Sequence, residues 1–354
     1  MKIGVITFFN YCNFGAALQC YGLSETLKKE GHEVEYIDYT CPFIGHPFRL
    51  SNIRKRGLFG YIYTVAGNIF YYPRRKKFAK FREKIAHTAP VTPGNISEYE
   101  DCYDRYITGS DQIWNVKLTD FDGTYFLDFV KDNAKKTSYA ASFGGNNIRR
   151  DRTNMYRHFL KQFDRISVRE SYGADLVKEL TGREAEVTLD PTLLLERQEW
   201  EKVASPAKRK KPYILVYQLG FSGELIQTVK RVKKETGLPV VYVPFPLGGF
   251  VAGKYTLSLG PAEWLALFRD ASYVVTDSYH GIIFSLIFER KFLVIADGQH
   301  RNQRVISLLE RLGIRNRVVG ENMADMKEDI DYRKVKAILE EDRQDSLKWI
   351  RENI

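Results

Sequence analysis

Alternation of β-rich and helix-compatible runs, at short and regular spacing, restricts this chain to an α/β architecture built on parallel sheets. Residues 2–9 form a continuous apolar run suited to a buried strand, 15–30 carry helical periodicity, and 33–39 return to a strand pattern after Gly31 and His32. This is a β-α-β unit of ordinary length, which favours parallel pairing. Strand-like runs recur at 106–108, 137–142, 165–168 and 186–189. The hydrophilic stretch Ser205-Pro-Ala-Lys-Arg-Lys-Lys-Pro212 then interrupts the pattern as a linker does. Strands resume at 213–219, 239–243, 273–276 and 292–296, separated by helical segments around 223–236, 261–270, 281–289 and 302–312. Two consecutive α/β halves imply two Rossmann-like domains facing across a cleft, residues 1–204 and 212–331, followed by a heavily charged helical stretch at 332–354. A length of 354 residues, more than one hydrophobic core usually serves, agrees with two domains.

The net charge of +10 is concentrated in one place. Eleven Lys/Arg against a single acid lie between Arg49 and Lys84, leaving the rest of the chain formally neutral. Between the two basic clusters, residues 57–72 are apolar and aromatic. Basic flanks around aromatic rings suit a surface pressed against anionic lipid, so the 49–86 insert is one candidate membrane contact. The alternative is a solvated helical insert whose aromatics fill the core. Nucleic acid is not expected, because no RNA- or DNA-binding motif accompanies the charge. No basic, apolar and small-residue leader pattern opens the sequence, and no apolar run approaches the roughly 20 residues that span a bilayer. The expectation is a cytoplasmic protein, peripheral to the inner face of the membrane if the insert binds lipid. Cys12, Cys20, Cys41 and Cys102 lack metal or CxxC spacing and read as incidental thiols.

Three segments carry chemistry. In 271–288 a β-rich run ends at Thr276-Asp277-Ser278 and a helix-compatible run begins after Gly281, so His280 lies at a strand-to-helix turn. In an α/β sheet that turn is at the carboxyl edge of the strands, where ligands bind and helix N-terminal amides attract anions. A local structural histidine is the alternative. The turn Asn10-Tyr-Cys-Asn13-Phe-Gly15 lacks GxGxxG spacing, which disfavours a dinucleotide; its side chains and amides either bind sugar hydroxyls or a phosphate, or cap the helix. Ser110-Asp111-Gln112 beside Trp114 combines polar groups with an aromatic face, a composition suited to carbohydrate. Asp111 is a base for an acceptor hydroxyl or a turn aspartate. Neither a metal-site cluster, a GxxxxGK[ST] loop nor a GxSxG elbow is present, so no metal or NTP hydrolysis is expected.

Further landmarks are Gly4-Val-Ile-Thr-Phe-Phe-Asn10, Thr108-Gly-Ser-Asp111-Gln-Ile-Trp114-Asn115, Ser138-Tyr-Ala-Ala-Ser-Phe-Gly144, Ile166-Ser-Val-Arg169-Glu170 and Leu189-Asp190-Pro191-Thr192. Together with 271–288 they occur in an order that resembles the polysaccharide pyruvyl transferase family over nearly the whole chain. The resemblance implies a GT-B-like architecture, in which a terminal helix often crosses back to the first domain. It also implies phosphoenolpyruvate as donor substrate, no cofactor, and a glycan or lipid-linked oligosaccharide as acceptor. His280 then is the general acid, with Asp111 as its catalytic companion. Arg169 matches an arginine that family members place at the donor, a salt bridge with Glu170 being the alternative. The family's Arg-Leu-His sequence reads Ser278-Tyr279-His280 here; Arg301 and Arg304, at the start of the next helix, either supply the missing cation or are ordinary surface charges. The donor side thus comprises Arg169, Ser278, Tyr279, Arg301 and Arg304, and the acceptor side Asn10, Asn13, Gly15, Ser110, Gln112 and Trp114. A nucleotide-sugar glycosyltransferase and a non-catalytic glycan-binding protein are the competing readings.

Overall fold

The computed structural model describes residues 1–44, 71–145, 152–207, 211–220, 222–244, 254–256, 258–296, 303–320 and 328–354. Arg301 and residues 45–70, which include 49–70 of the basic insert, lie outside them. The described chain forms two compact units, one of Met1–Leu194 with Ser346–Ile354, the other of Leu195–Asp345.

In the first unit β1 (Lys2–Ile6), β2 (Glu33–Tyr36), β3 (Arg105–Thr108), β4 (Lys136–Ala141), β5 (Arg165–Val168) and β6 (Glu186–Val187) form a six-stranded sheet in the order β2-β1-β3-β4-β5-β6. Every pairing in it is parallel. Parallel sheets are covered on both faces, so their strands read as unbroken apolar runs; β4 is buried along its whole length. One face packs Ile6, Ile113, Trp114 and Phe126 into a core, and the other packs Ile3, Val5, Leu23 and Leu27. The helix Phe14–Lys29 starts on Asn13, whose side chain accepts from the Ala16 amide, and ends on Lys28 and Lys29, cations suited to a helix C-terminus.

In the second unit β7 (Ile214–Tyr217), β8 (Val240–Val243), β9 (Lys254–Tyr255), β10 (Tyr273–Thr276) and β11 (Lys291–Val294) form a parallel sheet in the order β11-β10-β7-β8-β9. Strand order reverses between β1 and β3 in the first sheet and between β7 and β10 in the second. In doubly wound sheets ligands bind outside the carboxyl ends of the strands at such points.

The boundary between the units precedes the hydrophilic 205–212 stretch. Helix Arg197–Val203 belongs to the second unit because Trp200 packs edge-on against Phe284, 5.1 Å between ring centres, and the Ser205 amide donates to the Ala262 carbonyl at 2.9 Å. The terminal helix Tyr332–Asn353 begins in the second unit, where Arg311 pairs with Asp342 at 2.6 Å. Its last turns pack with the first unit, where Trp349 meets Tyr139 and Arg351 pairs with Glu30 at 2.8 Å.

Residues 71–82 are helical. Arg74, Phe78, Phe81 and then Ile85 recur at helical spacing and are buried. The Arg74 guanidinium lies 4.5 Å from the Phe14 ring centre and donates to the Cys12 carbonyl at 3.1 Å. Arg74 is therefore part of the core rather than a lipid-facing cation, and the aromatics at 78 and 81 fill the interior. Arg75, Lys76, Lys80 and Lys84 remain exposed. Among the described residues no helix is long and apolar enough to cross a membrane.

Candidate active site

The second-unit site is built at the β7/β10 switch point. The Thr276 hydroxyl donates to the Tyr217 carbonyl at 2.7 Å and accepts from the Ser278 amide at 3.1 Å, fixing the turn after β10. Ser278 caps the helix Tyr279–Ile287, its hydroxyl accepting from the Gly281 amide at 3.3 Å. A Cβ at Gly281 would stand 2.5 Å from Thr276 Oγ1, so glycine is what lets the helix start this close to the strand. Asp277 was not singled out from sequence. Its carboxylate accepts from the amides of Leu219 and Gly220 at 2.7 and 2.8 Å, tying the chain after β7 to the chain after β10. The available signal was an aspartate directly behind a strand at the carboxyl edge.

His280 is in the first turn of this helix, half-buried, its ring edge-on to Tyr279 at 5.5 Å. The Arg304 guanidinium lies over the Tyr279 ring at 5.3 Å from its centre. The structure thus places Ser278, Tyr279 and His280 at one helix start, the first two buried and His280 half-buried, with Arg304 over the Tyr279 ring.

The corresponding edge of the first unit carries Asn10, Asn13, Ser110, Asp111 and Gln112. Gly109 has φ 121° and a Cβ there would fall 2.2 Å from the Tyr139 carbonyl oxygen, so the turn after β3 requires glycine. Asp111 adopts φ 53°, a left-handed conformation that costs energy for a residue with a side chain. Its Oδ1 accepts from the Gln112 amide at 2.8 Å, and Gln112 Oε1 accepts from Asn115 Nδ2 at 2.9 Å. Ser110 is wholly buried, its hydroxyl donating to the Ala140 carbonyl at 3.1 Å and its amide to Gln19 Oε1 at 3.3 Å. Gly15 is buried inside the first helix, and Asn13 acts as that helix's cap. Burial pushes the Asp38 carboxyl up, against the pull of Arg82, His87 and a hydrogen bond from Asn10. Burial likewise pushes the Tyr11 phenol up to about 12.

Two expected ligand contacts are corrected. Trp114 is 0% exposed, stacked on Phe126 at 5.7 Å with its indole N–H donating to the Tyr125 carbonyl, and offers no face to a sugar. The Arg169 side chain is 1% exposed and ion-paired within the unit: Nε donates to Glu170 Oε1 at 3.0 Å and Nη1 to Asp190 Oδ2 at 2.8 Å. Both carboxylates accept further bonds, Glu170 from the Ser142 hydroxyl at 3.0 Å and Asp190 from the Thr192 amide and hydroxyl at 3.0 and 2.6 Å. The salt-bridge reading of Arg169 describes this geometry, and its partner Asp190 lies 3.5 Å from Ser110 Oγ at the candidate acceptor edge.

The family model described as polysaccharide pyruvyl transferase matches residues 13–299. The chain belongs to that family. As a polysaccharide pyruvyl transferase family member it carries His280 inside the matched region, whereas Arg304 lies beyond its end. A comparison with curated proteins gave no match. Among solved structures, a putative UDP-N-acetylglucosamine 2-epimerase from Listeria monocytogenes is similar with TM-score 0.54 and 11% identity, covering 98% of this chain and 90% of that one. The UDP-GlcNAc 2-epimerase of Methanocaldococcus jannaschii is similar with TM-score 0.50 and 10% identity, covering 96% and 92%. At such identities the likeness concerns fold alone, and it places this pyruvyl transferase family member in the GT-B-like class of two Rossmann-like units. Among the described residues no group of three His, Cys, Asp or Glu is placed to hold a metal ion.

Proposed function

We propose that the protein transfers a pyruvyl group from phosphoenolpyruvate to two hydroxyls of one sugar in a cell-surface polysaccharide or its lipid-linked precursor, forming a ketal. Family membership supports the reaction class. The observation that carries the donor assignment is the Arg304 guanidinium over Tyr279, next to His280 in the first turn of the Ser278-capped helix. A donor with two anionic groups, a carboxylate and a phosphate, calls for fixed cations and oriented amides, and an arginine fork is suited to both. Arg304 takes the place of the arginine that the Ser278-Tyr279-His280 sequence lacks.

His280 delivers a proton to the vinyl carbon, an acid role that an imidazole fills near neutral pH. Carbon 2 bonds to the two sugar oxygens as its bond to the phosphate oxygen breaks. Of the two hydroxyl protons, one restores the imidazolium and the other, taken up by Asp111, passes to the phosphate as it leaves. The second unit holds the donor, and the first unit, through Asp111 as base and the turn at Asn10 and Asn13, takes the acceptor. The direct test is acceptor-dependent release of inorganic phosphate from phosphoenolpyruvate. Transfer from a nucleotide sugar with no consumption of phosphoenolpyruvate would replace this reading with glycosyl transfer.

A lipid-linked acceptor places the work at a membrane surface, and the exposed Arg75, Lys76, Lys80 and Lys84 support peripheral contact with anionic lipid, at about 1 kcal/mol per cation. The combined Lys76→Glu and Lys80→Glu variant should lose sedimentation with phosphatidylserine vesicles while keeping transfer to a soluble acceptor. Unchanged sedimentation would remove the membrane contact.

A further inference from the structure

We infer that a cavity of about 350 Å³ on the first unit is a subsite for one anionic sugar unit of the acceptor, a uronate or a sugar phosphate. This rests on the assignment of the first unit to the acceptor. The cavity is lined by Phe43, Lys117, Leu118, Asp120, Phe121 and Arg152 among others. These residues come from the chain segments that follow β2, β3 and β4, all at the carboxyl edge of the sheet, where α/β proteins bind ligands. The segment after β3 is also the one that bears Ser110, Asp111 and Gln112; Asn115, hydrogen-bonded to Gln112, caps the short helix Val116–Thr119 that forms one wall.

The lining has the composition that a charged sugar calls for. Phe43 and Leu118 are 54% and 43% exposed, large apolar groups left in contact with water at this cavity. An aromatic or aliphatic face can cover the C–H side of a pyranose ring, and covering it removes apolar area from water. Asp120 is an exposed carboxylate able to accept from ring hydroxyls. Lys117 and Arg152 give the lining two cations against this one acid. The Arg152 guanidinium is held 5.6 Å from the centre of the Phe121 ring, which fixes a planar donor fork beside an apolar wall. The cavity is at the small end of the ~300–1,000 Å³ typical of ligand sites, suited to a single sugar rather than an oligosaccharide. Trp114, expected from sequence to offer the aromatic face, is in the core; the exposed ring at this cavity is Phe43, from the segment after β2.

The test uses the full chain, without phosphoenolpyruvate, titrated with glucuronic acid, glucose 1-phosphate, glucose and inorganic phosphate and followed by ligand-observed NMR. One of the two anionic sugars should bind at least tenfold more tightly than glucose and than inorganic phosphate. Which one it is distinguishes a carboxylate from a phosphate partner. Lys117→Glu and Phe43→Ala change exposed side chains and should each weaken that binding at least tenfold, with the thermal shift given by phosphoenolpyruvate unchanged. Equal binding of glucose and the anionic sugars, equal binding of inorganic phosphate and glucose 1-phosphate, or affinities unmoved by Lys117→Glu would each overturn the subsite. Sugar binding that follows the expected pattern in a protein that phosphoenolpyruvate does not stabilise would support the subsite and count against the pyruvyl donor.

Discussion

Alanine at Arg169 should destabilise the first unit by about 3–5 kcal/mol, the usual consequence of removing one partner from a buried ion pair. Glu170 and Asp190 have side chains 3% and 0% exposed, and both face the guanidinium. Its removal strands two carboxylates in a region that water does not reach. The neutral partners, the Ser142 and Thr192 hydroxyls, hold those carboxylates in place but cannot offset their charge. Urea unfolding combined with hydrogen exchange should show the loss concentrated in β3, β4 and β5 of the first unit, with β7 to β11 protected as before. Restoring neutrality with Arg169→Met, Glu170→Gln and Asp190→Asn together should recover much of the stability, since the cost comes from uncompensated charge more than from missing contacts. A triple variant as unstable as Arg169→Ala alone would contradict that origin.

Alanine at His280 should lower turnover by about 10²–10⁴-fold, the range for loss of a positioned acid or base, with little change in the Michaelis constant for phosphoenolpyruvate. The half-buried side chain is in the first helical turn, and the helix start is held by the bonds among Thr276, Ser278 and Gly281. Stability should therefore stay near wild type. A rate profile that also loses its pH dependence on one limb would assign the proton to His280. Full turnover with reduced stability would make His280 a structural residue.

How much of this was legible from sequence depends on how local each cause is. The strands 214–217 and 240–243 are buried throughout and 273–276 at all but its first residue, so their apolar runs are continuous and read directly. β9 consists of two residues, too short to leave a pattern. The turn carrying His280 was legible because its capping serine and its glycine lie within a few residues of it. Trp114 was misjudged because the rings that bury it, Phe126, Phe143 and Phe163, arrive from other parts of the chain. Arg169 has one partner adjacent in sequence, Glu170, and a second, Asp190, twenty-one positions away; local reading weighs the first and misses the second. The 205–212 stretch reads as a linker because it is hydrophilic, yet the boundary is decided by Trp200 packing on Phe284, a contact between segments far apart in sequence. Arg74 shares a helical stripe with Phe78 and Phe81, a periodicity present in the sequence but outweighed by the surrounding charge.

The central claim is that the site around His280 and Arg304 holds phosphoenolpyruvate, and thermal unfolding with and without that ligand tests it before any acceptor is known. A ligand at 100 times its dissociation constant stabilises the form it binds by about 2.7 kcal/mol, which for a unit of 150–250 residues moves the midpoint by about 2–4 °C per kcal/mol. The expected result is a rise of several degrees in wild type, most of it lost in Arg304→Ala, and none from UDP-N-acetylglucosamine. A shift from the nucleotide sugar with none from phosphoenolpyruvate, or a full phosphoenolpyruvate shift in Arg304→Ala, would contradict the claim.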